Sequence, residues 1–249
     1  MTIKFNGGFG PITGAIKAGD AIPPVITYGL HLHYDINSYP GSGTTITDLS
    51  GNGSGTLVGG VGTDSNSYIF DGNNDYITVP AINRITSTTI EVWFNTTTVV
   101  PNRQYLYTQQ QNPPSTSTYT YEQSQNIKLV HDTIEFQYNT TNNDANAITS
   151  SAPTFSTNEW VQIVATLSSN GDKQLYKNGQ AVSGVVTGSG SITPHSNFAV
   201  NQGVIGARND SNSIDRFSGN IGIVREYNRG LSSEEVLQNF NHNRSAYNI

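Results

Sequence analysis

The sequence predicts an all-β fold of two antiparallel sheets packed face to face. Three observations lead there. Short runs of Val, Ile, Leu, Phe, Tyr and Thr recur along the 249 residues, many of them alternating apolar and polar. Clusters of Gly, Asn, Asp, Ser and Pro separate these runs and supply turn chemistry. One stretch, residues 232–241, carries a helical signal: Ser232 with Glu235 three residues on fits a capping box, and Val236, Leu237 and Phe240 form an apolar stripe for the sandwich to bury. A chain this long can bury a full core as one large β domain.

Residues 1–27 differ from the rest of the chain. Gly7, Gly8, Gly10, Pro11, Gly14 and Gly19 alternate with isolated Ile3, Phe5, Phe9, Ile12 and Ile16, and no period is sustained. Such spaced apolar residues bury too little to offset chain entropy by themselves. The stretch is therefore read as an extended N-terminal arm that lies on its own domain or on a neighbouring chain, closed by Pro23-Pro24. The domain proper is read as residues 28–249.

Within it, residues 29–35 alternate Leu30, Leu32 and Tyr34 against His31 and His33, a strand pattern. Residues 38–60 are rich in turn formers, with apolar islands at Ile46, Leu49 and Leu57-Val58. Residues 68–80 hold two apolar runs joined by Asp-Gly-Asn-Asn-Asp and predict a hairpin. Residues 88–95 give a clean strand, with Ile90, Val92 and Phe94 on one face and Thr89, Glu91 and Trp93 on the other. A short strand is expected at 105–108, then a long polar loop at 109–125. Residues 127–130 and 133–138 read as a hairpin, 140–153 as a polar connection, and 159–167 as a buried strand headed by Trp160. Asn178-Gly179 joins 174–177 to 180–183 in a further hairpin, and 202–207 and 220–227 are the last strands.

Composition narrows the function. Charged residues make up 12% of the chain against a usual share near 25%. A net charge of −6, with 12 scattered Lys and Arg, argues against nucleic acid as a partner. The absence of Cys removes disulfides, thiolate metal sites and thiol chemistry. No apolar run reaches the roughly 20 residues of a membrane span, and the N-terminus lacks a signal-peptide pattern.

Several groupings invite a site. Asp71, Asn73 and Asp75 match the first three ligand positions of a calcium loop. Tyr76 and Ile82 stand where an EF-hand needs Gly and Glu, which favours a turn in which the Asx side chains bond the backbone. His31, His33 and Asp35 share a strand face and could hold zinc or nickel; the competing reading is a solvated or arm-covered polar face. The Glu residues at 91, 122, 135, 159, 226, 234 and 235 form no glycosidase pair, and Asp132 and Glu135, which come nearest, fall on opposite strand faces. No nucleophile elbow or phosphate loop occurs. No catalytic residue and no cofactor are assigned. Tyr119 and Tyr121 in the long loop either contact a glycan or partner or pin the loop to its own sheet. Trp93 and Trp160 both sit in predicted strands.

The pieces Gly-Leu-His-Leu-His-Tyr-Asp (29–35), Ser-Tyr-Pro-Gly-Ser-Gly-Thr-Thr-Ile-Thr-Asp-Leu-Ser-Gly-Asn-Gly-Ser-Gly-Thr-Leu (38–57), 70–79, 89–94, 160–166, 175–179 and 221–236 occur in an order that resembles the laminin-G-like, concanavalin A-like jelly roll of phage and marine viral structural proteins. The resemblance covers roughly residues 28 to 244. It implies a concanavalin A-like jelly-roll sandwich with an N-terminal arm and one short C-terminal helix. It also implies that Trp93 and Trp160 pack in the core or on a sheet face. Relatives place a calcium-binding Asp in the last strand, where this chain has Ile221-Gly222-Ile223-Val224, so Gly222 implies loss of that metal site. The resemblance also implies a non-enzymatic virion protein, a capsid decoration protein anchored through the arm residues Ile3, Phe5, Phe9, Ile12 and Ile16 on a viral capsid or tail protein and forming a homo-oligomer. The alternative is a carbohydrate-binding adhesion module, a tail or fibre head that recognises cell-surface carbohydrate through Tyr119 and Tyr121.

Overall fold

A computed structural model describes residues 22–82, 87–99, 103–110, 124–138, 146–188, 202–208 and 215–249. The arm residues Ile3, Phe5, Phe9, Ile12 and Ile16 and the loop residues Tyr119 and Tyr121 lie outside the described residues.

Alternation along three long strands builds the centre of the first sheet. In β7 (Thr88–Thr96), β12 (Val161–Leu167) and β17 (Ser218–Tyr227), pairing aligns Val92 with Ile163 and Val224 on one face, and Trp93 with Gln162 and Ile223 on the other. The full sheet has eight antiparallel strands. They run β14 (Gln180–Val182), β13 (Lys173–Lys177), β12, β7, β17, β5 (Tyr68–Asp71) and β4 (Gly62–Thr63), with β1 (Leu30–Asp35) pairing the other half of β17. The second sheet has nine antiparallel strands. Their order is β15 (Gly184–Thr187), β11 (Asn146–Ser150), β10 (Thr133–Tyr138), β9 (Ser124–Val130), β8 (Arg103–Gln110), β16 (Gln202–Ile205), β6 (Tyr76–Val79), β3 (Ser54–Val58) and β2 (Thr45–Thr47). The predicted jelly-roll sandwich is therefore present.

The core lies between the sheets. Ile90, Val92, Phe94 and Ile163 from one meet Ile77, Tyr107, Ile127, Phe136 and Ile148 from the other. Phe94 sits edge-on to Phe155 and Phe217, at 5.4 and 6.2 Å between ring centres. An irregularity between Leu30 and Leu32 splits the first strand: Leu32 and Tyr34 enter this core, whereas Leu30 joins a cluster on the outer side of the eight-stranded sheet.

The outer side of the eight-stranded sheet is covered by the helix α1 (Ser233–Asn243). Its predicted capping box forms, with the Glu235 amide donating to Ser232 Oγ at 3.3 Å and the Ser232 amide to Glu235 Oε2 at 2.9 Å. Val236 packs with Val164, Tyr176, Tyr227 and Leu231, and Phe240 stacks on Trp93 at 5.8 Å. Residues 22–28 lie alongside. The Ile26 amide donates to Asn239 Oδ1 at 2.9 Å, Tyr227 Oη donates to the Ile26 carbonyl at 3.1 Å, and Gln238 Nε2 donates to the Pro24 carbonyl at 2.8 Å.

Two expectations are corrected. Residues 68–80 do not form a hairpin: β5 belongs to the eight-stranded sheet and β6 to the nine-stranded one, so the intervening turn carries the chain across the sandwich. Tyr68 and Phe70 on one strand and Ile77 and Val79 on the other all point into the same core, and a period-2 pattern is identical whether the next strand pairs beside it or faces it. The polar stretch 140–153 contains β11, whose Ala147 and Ile148 are buried among polar neighbours. The hairpins β9–β10 and β13–β14 form as predicted.

Candidate functional site

The inward faces of the nine-stranded sheet align Leu57, Ile77, Ile205, Tyr107, Ile127, Phe136 and Ile148 in one ladder. The residues between them must point outward. They form a second ladder across seven strands: Thr56, Thr78, Val204, Thr108, Asn126, Gln137 and Ala147. A β-bulge between Tyr105 and Tyr107 turns Leu106 and Tyr107 both toward the core, so Tyr105 faces outward opposite Lys128. A third row then reads Tyr105, Lys128, Glu135, Thr149.

This outer face is polar and much of it is buried. Lys128 Nζ lies 2.6 Å from Glu135 Oε1, donates to Gln137 Oε1 at 2.8 Å and sits 5.3 Å from the Tyr105 ring centre. Burial pulls the Lys128 pKa down, and the Glu135 carboxylate pulls the other way. Neighbouring Thr108 and Asn126 are 0% and 4% exposed, and among the described residues Thr108 Oγ1 and Asn126 Oδ1 have no hydrogen-bond partner. Leaving such an atom unsatisfied costs about 1–3 kcal/mol. A ligand hydroxyl or an ordered water offsets that cost. At one end of the face Arg208 Nη1 lies 3.8 Å from Asp215 Oδ2. Hydroxyls, amides and one ammonium–carboxylate pair are the groups that hold a hydroxyl-rich ligand in place.

Two further carboxylates are buried elsewhere. On the outer side of the eight-stranded sheet Glu91 accepts from Trp93 Nε1, Gln162 Nε2 and Asn239 Nδ2 at 2.9, 2.8 and 2.9 Å, and lies 3.3 Å from Arg225 Nη1. Between the sheets Glu226 accepts from Tyr107 Oη at 2.6 Å, from Gln125 Nε2, and from Thr88 Oγ1 at 3.4 Å. Burial pushes its carboxyl up to about 7, against the pull of those donors.

The structure places the candidate residues that fall among the described ones. Asp71 Oδ1 accepts from the Asn73 and Asn74 amides at 2.8 and 3.2 Å, and Asp75 Oδ2 accepts from the Asp71 amide at 3.0 Å, so both carboxylates serve the crossing turn. His33 Nε2 lies 3.3 Å from Asp35 Oδ2. Burial works against the ionised form of Asp35, but His33 and the Asn37 amide outweigh it and hold its carboxyl below the usual range. His31 offers its carbonyl to Ser50 Oγ and Asn52 Nδ2, both at 3.0 Å. Among the described residues no three His, Asp or Glu side chains converge as a metal site. Gly222 stands at a register irregularity with Tyr247 directly over it; a Cβ there would lie 2.3 Å from Tyr247 Oη. Trp93 is fully buried between Phe240 and Tyr247, and Trp160 lies 4.4 Å from the Tyr247 ring. The rows on the nine-stranded sheet went unread in the sequence. Their one local trace is the alternation Asn126-Ile127-Lys128-Leu129.

A family model described as the concanavalin A-like lectin/glucanases superfamily matches residues 71–237. No curated protein matches the sequence. Among solved structures, a Trypanosoma rangeli sialidase in complex with sialic acid is similar at a TM-score of 0.65 and 15% identity, over 93% of this chain and 36% of that one. The receptor binding domain of a botulinum neurotoxin C/D mosaic serotype is similar at 0.62 and 15%, over 87% and 52%. That of botulinum neurotoxin D is similar at 0.61 and 14%, over 87% and 53%. The chain thus spans about a third of the sialidase and about half of the toxin chains. At these identities the likeness is one of fold, shared by an enzyme and by receptor binding domains.

Proposed function

The chain belongs to the concanavalin A-like lectin/glucanases superfamily, and from that premise we propose a non-enzymatic virion structural protein: a capsid decoration module held through its N-terminal arm, with the outer face of the nine-stranded sheet turned toward cell-surface glycan. The observation that carries this reading is the separation of root and face. Residues 22–28 are bonded to α1 and β17 on the outer side of the eight-stranded sheet, the side opposite the polar rows. The root of the arm and the polar rows thus belong to opposite sheets of the sandwich.

The carboxylates support a binding role over hydrolysis. A glycosidase needs two carboxyl groups flanking the scissile bond. Here Glu91 holds the helix, Glu226 is sealed between the sheets, Glu135 is engaged by Lys128, and Asp215 faces Arg208.

The test is co-sedimentation with purified capsids of the encoding virus. Full-length protein is expected in the pellet. A variant lacking residues 1–21 should keep its melting temperature and stay in the supernatant. Equal pelleting of both would sink the anchoring role, and sugar release from a polysaccharide panel would sink the non-enzymatic one.

The second reading, an adhesion head on a tail or fibre, keeps the glycan face and changes what the arm grips. It is favoured by the atoms of Thr108 and Asn126 that have no partner among the described residues. Glycan-array binding that disappears in Asn126→Ala supports it; binding unchanged in that variant counts against it.

A further inference from the structure

The nine-stranded sheet carries a concentration of positive charge that the whole chain lacks. Arg103, Lys128 and Arg208 all act on the Tyr105 end of the outer face: both arginines disfavour the Lys128 charge, and both favour an ionised Tyr105. Arg216 comes directly after Asp215 and lies over the Tyr76 ring, 4.8 Å from its centre, on the β6 face that points away from the core. Four of the chain's 12 Lys and Arg thus gather at one end of one sheet face, in a protein of net charge −6.

The acids nearby do not use all of it. Glu135 engages Lys128, Asp215 engages Arg208, and the charge of Asp75 acts on Arg216 without a hydrogen bond between them. Arg216 is the informative member. Among the described residues its Nε and Nη1 are buried atoms with no hydrogen-bond partner. A guanidinium is always charged and carries five donors suited to carboxylate, sulfate or phosphate oxygens. Arg216 as a residue is half-buried, and donors fixed on an aromatic ring without an acceptor among the described residues form a half-made anion site.

Resting on the glycan half of the reading above, we infer that this end of the nine-stranded sheet is a subsite for the anionic group of an acidic glycan, a uronate carboxylate or a sulfate ester, with Arg216 as the direct contact and Arg103, Lys128 and Arg208 supplying the surrounding field.

The test is binding of the full-length protein to immobilised alginate, dextran sulfate and neutral dextran. The anionic polymers should bind at least about tenfold more tightly than dextran, and the preference should shrink as salt is raised. Arg216→Ala should lose about tenfold on the anionic polymers with an unchanged melting temperature. Arg216→Lys, which keeps the charge should the alanine variant fail to fold, should fall between. Arg244→Ala, on the far side beyond α1, controls for net charge and should bind as wild type. Alginate against dextran sulfate separates carboxylate from sulfate recognition. If neutral dextran binds as well as the acidic polymers, or Arg216→Ala and Arg216→Lys both match wild type, the inference falls while the glycan reading stands. If no polysaccharide binds, both fall.

Discussion

Glu91 Oε2 accepts a hydrogen bond from Asn239 Nδ2 at 2.9 Å, and through Asn239 the middle of the eight-stranded sheet is tied to helix α1 and to Ile26. The other end of that amide accepts from the Ile26 amide, so one buried carboxylate links helix α1 and residues 22–28, beside the Tyr227–Ile26 and Gln238–Pro24 hydrogen bonds. Arg225, 2% exposed on the next strand, balances its charge and also donates to Asn243. Removing one partner of a buried ion pair costs about 3–5 kcal/mol, because the other charge is left uncompensated. Glu91→Ala is expected to lower the melting temperature by about 10 °C. Asn239→Ala should cost about 1–3 kcal/mol and speed amide exchange at Ile26. Wild-type exchange at Ile26 in Asn239→Ala would show that the arm root is held by other contacts.

A different response is expected of Glu226. Its folded-state carboxyl is pushed up to about 7 by burial, from an ordinary 4.5. Between those values the folded protein holds a proton that the unfolded chain has released. Stability therefore falls as pH rises through that window and levels off above it. The total is about 3 kcal/mol at 1.36 kcal/mol per unit. Carboxyls held below their usual range, such as Asp35, titrate at lower pH and leave the upper part of the window clear. Denaturant unfolding at pH 5.5 and 8 should find the wild type more stable at the lower pH, and Glu226→Gln should remove most of the difference. Parallel pH profiles for the two proteins would refute the assignment.

How much of this could be read from the chain alone varies with the range of the contacts. Local chemistry was legible: the Ser232 and Glu235 cap, the Asn178-Gly179 hairpin, and the two faces of β7 are all set by neighbours in sequence. Charged residues inside apolar strands were the harder case. Glu91, Arg225 and Glu226 sit in runs that read as buried, and the Glu91–Asn239, Glu91–Arg225, Glu226–Tyr107 and Glu226–Gln125 contacts each join residues more than 100 positions apart. The crossing of residues 71–76 was misread because side-chain alternation does not say which sheet a strand joins. The polar rows were invisible for the same reason. Thr78, Thr108, Asn126 and Gln137 become neighbours through the order β6, β16, β8, β9, β10, which no local pattern encodes.

The crossing turn gives a third prediction. Asp71 and Asp75 direct their oxygens at backbone amides within the turn, so they stabilise it without a cation. Asp71→Ala should cost about 1 kcal/mol, the net contribution of the hydrogen bonds lost. Melting temperatures in EDTA and in millimolar calcium should agree for the wild type. A rise of several degrees with calcium, abolished in Asp71→Ala, would falsify this account of the turn.

Gly222 supplies the last. It occupies the position at which relatives are implied to carry a calcium-binding Asp, yet the space a side chain would need is filled by Tyr247. Tyr247 is fixed in turn by Trp93 at 4.8 Å and Trp160 at 4.4 Å, so it cannot move aside cheaply. Gly222→Asp should therefore not create a calcium site. It should destabilise by about 1–3 kcal/mol or more, as overpacking does, with no recovery on adding calcium. Tyr247→Ala alone should also destabilise, by opening a cavity against Trp93. Because each change relieves the other, the double variant should be more stable than the sum of the two losses implies, and that coupling can be read from four melting curves. Strict additivity would mean that the Tyr247 ring does not hold position 222 to glycine.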